Sequence, residues 1–459
     1  MARETTGATA DKAQDLQRLA EAMLDAARRA GADAADAVAA AGESLSIEVR
    51  DGALEQAERS EGVDIGLRVL VGQRQACVAS SDVRPETIAA MAERAVAMAR
   101  EAPEDPYCGL AEPGEFATEW DLAALDLVDQ VHVPTPEDLR AAALTAEAAA
   151  RAVPGVSRMD TTGASWGLSH FHLATSAGFS GGYGRTGHGL QVVAIQGEGL
   201  AMERDYAYDS RSHFADMEDP AAIGRRAGER AVARKGAKKP PTGGFPVLFD
   251  ERVAQSLIGH LVQAANGASV ARGSSWLREA MDERVLPEGM DLVEDPLRPR
   301  IGGSRPFDGE GIAARRRVIV ADGILRSWTL DLATGRQLGL PTTGNAQRGT
   351  SAPPSPGIGN LTLTPGTATR DELVAAMGTG LIVTSLIGAS INPTTGDYSR
   401  GAGGFWVEQG EIVHAVNECT IAGSLREMLG SLIAANDGRE HLSRVVPSLL
   451  VEGLTIAGE

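Results

Sequence analysis

The 459 residues carry a net charge of −19, 43% apolar side chains, 4% aromatics and 54 glycines. This length exceeds one ordinary core of roughly 100–200 residues and implies two main domains, while the apolar content argues against disorder. The acidic balance opposes any ligand bound by phosphate neutralisation, so neither nucleic acid nor an anionic membrane is expected as a partner.

The chain opens on a helix. Leu16, Leu19, Met23, Leu24 and Ala27 recur at helical spacing over Ala13 to Ala30, and Gly31 ends the run. These first thirty residues show no basic start followed by an apolar stretch, and no apolar run approaches the ~20 residues of a membrane span. Leu45, Ile47 and Val49 alternate with polar residues, Asp51-Gly52 supplies a turn, and Val63, Ile65, Leu67 and Val69 alternate again, which predicts an antiparallel meander. Pro85 opens a second helix whose Ile88, Met91, Ala92, Ala95 and Met98 line one side. Residues 101–138 hold eleven acids, five prolines and no Lys or Arg, the composition of a solvated surface excursion.

An alanine-rich helix follows over Pro136 to Val153. Alternation from Val156 to Tyr208 then predicts further antiparallel strands, with Gly178, Gly181, Gly182 and Gly184 as turn or bulge positions. Pro220 to Lys235 is a helix with its cations toward the C-terminal end, where they suit the macrodipole. The breaker run Lys238 to Gly244 marks the boundary between domains 1–240 and 241–459. The second domain starts with a strand over Phe245 to Phe249 and a helix over Glu251 to Ala265. Strands follow near 318–320, 381–386, 405–407 and 412–415, with a Pro- and Gly-rich loop over 339–359 and a helix over 369–377. Both domains read as α+β, with largely antiparallel or mixed sheets.

Chemistry is harder to find. A helical zinc peptidase needs two histidines on one helix with a glutamate beside the first, because imidazoles bind the metal and the carboxylate activates water. His260 lies on such a helix, but Leu261 follows it and Ala264 and Ala265 stand where a second ligand would be needed. His170 and His172 share one strand face without a third ligand and read as sheet-surface residues. No G-x-S-x-G elbow or phosphate-binding glycine loop is present. Cys77, Cys108 and Cys419 are widely spaced and odd in number, which fits a reducing, cytoplasmic setting.

The densest functional-looking stretch runs from Thr394 to Glu408. There Asp397 and Arg400 can pair, the glycines allow a close backbone approach, and Phe405 with Trp406 can anchor a partner. Asp397, Tyr398, Ser399, Arg400, Phe405 and Trp406 are therefore candidates for peptide binding or a subunit interface. A plain hairpin with a local salt bridge is the other reading.

Gly396-Asp397-Tyr398-Ser399-Arg400-Gly401, Gly404-Phe405-Trp406-Val407-Glu408 and Thr420-Ile421-Ala422-Gly423 resemble the C-terminal signature of the TldD/PmbA family, in its PmbA (TldE) branch. Gly259-His260-Leu261, Ser274-Ser275, Pro306-Phe307-Asp308 and Met377-Gly378-Thr379-Gly380-Leu381 fit the same pattern in order. The resemblance implies one subunit of a cytoplasmic heterodimer that cleaves unfolded or extended peptides and trims modified peptide precursors. It also implies that zinc belongs to a TldD-like paralogue, whose His-Glu-x-x-x-His helix would fall at His260, Leu261 and Ala265 here. No metal, cofactor or catalytic residue is then expected in this chain. A stand-alone peptide- or protein-binding homodimer without a protease role and a hydrolase with an unrecognised site are the alternatives.

Overall fold

The computed structural model describes residues 2–459, with side chains described from residue 12 onward except at 389. The N-terminal half is built on α1 (Ala2–Ala30), β1 (Ala34–Arg50), β2 (Ala53–Val71), β3 (Arg74–Ser80) and α2 (Pro85–Glu101). After a short α3 (Leu122–Leu125) come α4 (Pro136–Arg151), β4 (Val156–Thr175), β5 (Ser180–Gln196), β6 (Glu203–Arg211) and α5 (Pro220–Ala233). The strands form one antiparallel sheet in the order β3-β2-β1-β4-β5-β6.

Alternation gives this sheet two different faces. Ala35, Ala37, Ala39 and Ala41 of β1 pack under α1 and α2 with Leu16, Met23, Ile88 and Met91. Ile47 and Val49, further along the same strand, pack under α4 and α5. Asp36 and Val38 point the other way, toward the C-terminal half, where Val38 meets Leu173, Phe179 and Phe307. The expected face of α2 is largely present, but Met98 is exposed and Val96 and Ala99 are buried instead.

The acidic stretch keeps most of its side chains exposed, as a surface excursion does, but it is pinned at a few points. Ala111, Ala117, Leu125, Leu127 and Asp129 are buried, Trp120 packs edge-on against Phe307 at 5.0 Å, and Phe116 bridges to Ile312. Its few apolar residues bind it across both halves as a strap, while its acids face solvent or cap backbone N–H groups. Gly178 does occupy a turn with φ +107, but Gly181, Gly182 and Gly184 lie inside β5. At Gly182 and Gly184 a Cβ would meet the Nδ1 atoms of His172 and His170 at 2.8 Å, so these glycines make room for two imidazoles. Those histidines are correspondingly buried beneath α1, not spread on an open sheet surface.

The C-terminal half begins with β7 (Gly243–Phe249), α6 (Glu251–Ala264), α7 (Gly267–Ala271) and β8 (Leu292–Glu294). It continues through β9 (Arg317–Ala321), β10 (Ile324–Leu325), α8 (Leu332–Leu338), β11 (Ala346–Gln347), β12 (Ser355–Pro356) and β13 (Leu361–Leu363). It closes with α9 (Arg370–Met377), β14 (Gly380–Ile391), β15 (Asp397–Glu408), β16 (Glu411–Ser424), α10 (Leu425–Gly430), β17 (Ile433–Ala434), β18 (Arg444–Val445) and β19 (Leu449–Ala457). A mixed sheet runs β16-β15-β14-β7-β19-β17, and a further pairing of β16 with β19 closes five of its strands on themselves. A second sheet, β10-β9-β8-β13-β18, flanks it. The large core between them gathers Phe249, Leu257, Leu261, Leu277, Leu292, Val383 and Trp406. Both halves are thus α+β.

Candidate functional site

Helix α6 starts where β7 ends, with Asp250 as N-cap accepting from the Arg252 N–H at 3.3 Å. Its amphipathic pattern turns Leu257, Ile258 and Leu261 into the core and leaves His260 at the edge, only partly covered. There the imidazole meets the Tyr398 ring of β15 edge-on, with centroids 5.8 Å apart. Burial pushes the His260 pKa down, and the nearby Arg400 charge pushes it the same way. Burial drives the Tyr398 phenol up to about 12. Neither His260 Nε2 nor Tyr398 Oη has a hydrogen-bond partner among the described residues.

Zinc needs three or four N, S or O donors at about 2.0–2.3 Å. Leu261 and Ala265 are both fully buried and apolar, so the positions flanking His260 supply neither a water-activating base nor a second ligand. Cys419 is buried and donates its Sγ–H to Ala402 O at 3.2 Å, and burial raises its thiol to about 11. That leaves it far from the thiolate a metal binds. Arg400, whose Nε donates to Gly388 O at 2.7 Å, adds a cation on the His260 side. This donor set does not fit zinc.

The expected pairing of Asp397 with Arg400 is not made. Asp397 is exposed and accepts from Thr395 Oγ1 at 2.6 Å, inside a turn where Gly396 has φ +83 and Asn392 Oδ1 accepts from the Thr394 N–H. The turn satisfies Asp397 locally, while Arg400 lies across β15 toward β14. Trp406 is not an exposed anchor either. It is 2% exposed, packs edge-on against Phe245 at 5.0 Å, and donates Nε1–H to Glu408 at 3.1 Å. Phe405 is half-buried beside the α9 core, and Ser399 is half-buried opposite Ala422. Of the candidates, the structure brings Tyr398 and Arg400 together with His260, and it separates Asp397 and Trp406 from them.

The ionic groups that join the halves carry no signal in the sequence. Asp36 is held by Arg68 from β2 and by Arg348 from the C-terminal half. Asp205 is held by Arg234 at 2.7 Å and by Arg252 of α6 at 2.8 Å. Separations of 312 residues for Asp36 with Arg348 and 47 for Asp205 with Arg252 leave no local signal for either.

Family models described as PmbA/TldA metallopeptidase domain 1, central domain and C-terminal domain match residues 35–99, 131–235 and 242–458. Metalloprotease PmbA of Escherichia coli O157:H7 is 34% identical over 431 residues, 93% of each chain. A crystal structure from Bacteroides thetaiotaomicron, described as a proposed modulator of DNA gyrase, has a TM-score of 0.87 and 26% identity, covering 96% of this chain and 98% of the other. TldE from Thermococcus kodakarensis, at a TM-score of 0.82 and 18% identity, covers 96% of this chain and 100% of that one, and shares the fold. Fold and matched domains define a metallopeptidase-type scaffold. The chain belongs to the PmbA/TldD family, with relatives of the PmbA type.

Proposed function

We propose that this chain is the non-catalytic subunit of a cytoplasmic two-chain zinc peptidase acting on unfolded or extended peptides, including modified peptide precursors. A TldD-like paralogue carries the metal. The observation behind this reading is the state of α6, where His260 is flanked by Leu261 and Ala265, both buried in the core. Restoring a glutamate at 261 would place a carboxylate among apolar side chains instead of beside a substrate. The helix has become a packing element.

His260, Tyr398 and Arg400 retain a partly covered polar edge in place of a metal centre. Such an edge can border a peptide cleft without activating water, so the share of this subunit is shaping and binding. Extended peptides suit this division, because strand-like pairing draws affinity from the main chain with little side-chain preference. Elemental analysis of the purified chain after dialysis against a weak chelator checks the metal assignment: zinc well below one per chain is expected. Close to one zinc per chain, lost when His260 is replaced by alanine, would overturn it.

A further inference from the structure

A cavity of about 460 Å3 lies on the seam between the halves, away from the α6 edge, and the proposed peptidase role makes no use of it. One wall is the outward side of β4 and β5, where Ser169 stands opposite Arg185 and Phe171 opposite Tyr183. The facing wall brings Arg305, Asp308, Arg348 and Gly359 from the C-terminal half.

Three arginines therefore line one half-open space. Arg348 is 1% exposed and pairs through Nη1 with Asp36, yet its Nε has no hydrogen-bond partner among the described residues. Arg305 is 7% exposed, reaches Glu294 through Nη2 at 3.3 Å, and likewise leaves Nε without a partner. Among the described residues Arg185 donates only to the carbonyl oxygens of Gly302 and Ser304, and it lies 5.4 Å from the Tyr183 ring centroid.

The carboxylates nearby are already shared. Asp36 also holds Arg68, and Glu294 also holds Arg317 at 2.8 Å, so four guanidiniums divide two acids and Arg185 has none among the described residues. Asp308, the acid on the wall, is turned to the backbone N–H groups of Glu310, Ile312 and Ala346. Burial pushes its carboxyl up to about 6 against these bonds. Gly359 completes the construction: a Cβ there would sit 2.7 Å from Arg305 Nη1, so the backbone yields its space to the guanidinium.

Guanidiniums that outnumber the carboxylates beside them favour an added anion, and planar guanidinium matches carboxylate and phosphate oxygens. We propose that this seam cavity is an oxyanion site that takes a carboxylate or a phosphate between Arg185, Arg305 and Arg348, with Phe171 and Tyr183 seating whatever carries it. The ligand bridges both halves and stabilises their docking by binding only the folded state.

The test is calorimetric titration of the full-length chain with inorganic phosphate, with a short peptide bearing a free C-terminal carboxylate, and with the same peptide amidated. Sodium chloride at matched ionic strength is the control. Saturable binding of phosphate, or of the free-acid peptide at least tenfold more tightly than the amidated one, supports the site, and the pattern identifies free anion or chain terminus as its source. Arg185→Gln should weaken that binding at least tenfold. Ser169→Asp, which sets a carboxylate opposite Arg185, should do the same should the first variant fail to fold. No saturable binding beyond the chloride control, equal binding of both peptides without phosphate binding, or unchanged affinity in a folded variant overturns the proposal.

Discussion

Asp36 sits at the point where the two halves meet, with Arg68 on one side and Arg348 on the other. Burial alone would raise its carboxyl, but the two cations together hold it below the usual carboxylate range. Its contribution is therefore present above the unfolded carboxylate pKa of about 4 and lost as pH falls through the lower folded value. Asp36→Asn leaves two buried guanidiniums without their shared counter-charge and should cost about 3 kcal/mol or more, read as a lower urea midpoint. His188 works in the opposite chemical sense. Burial pushes it down to about 4 despite Asp129 at 3.5 Å, and His132 and His213 add repulsion. A histidine depressed on folding supports the fold above its unfolded pKa of about 6.5 and withdraws that support as pH falls toward 4. Scanning calorimetry should accordingly show the melting temperature dropping between pH 6.5 and 4, and His188→Gln should flatten part of that drop. An unchanged slope would remove His188 from the account.

Elements that advertise themselves through local periodicity were legible in the sequence. The 3.6-residue pattern of Leu16, Met23 and Ala27 and the alternation around Ile47 and Ile65 each describe an element's own buried face, so composition and spacing suffice. Closure of β16 onto β19 and the course of the acidic strap were not legible, because each depends on contacts far along the chain. The site shows the same division. The apolar neighbours of His260 can be read from three letters, whereas the partners of Asp397 and Arg400 follow from a turn geometry that sequence alone does not supply. Helix packing offers a direct check on the element scale. An added Cβ at Gly224 of α5 would lie 1.9 Å from Ala146 O of α4, so the two helices approach at backbone contact. Gly224→Ala must push them apart, and about 2 kcal/mol of destabilisation is expected in thermal unfolding. A variant as stable as the parent would mean that α4 and α5 have slack the packing does not show.

At the scale of the whole molecule, no described helix is long and apolar enough to cross a membrane, and the −19 charge argues against a nucleic-acid ligand. The two halves are fastened by Asp36 with Arg348, Asp205 with Arg252, and the strap, rather than left as a loose pair of domains. Such fastening is compatible with the proposed subunit that shapes a cleft while a partner supplies the metal. Reconstitution tests that division most directly. An unfolded peptide is incubated with this chain, with a zinc-bearing TldD-like paralogue, with both, and with this chain plus the paralogue lacking its catalytic glutamate. Cleavage is expected only when both intact chains are present. Cleavage by this chain alone or with the disabled paralogue, or full activity from the paralogue by itself, would contradict that division.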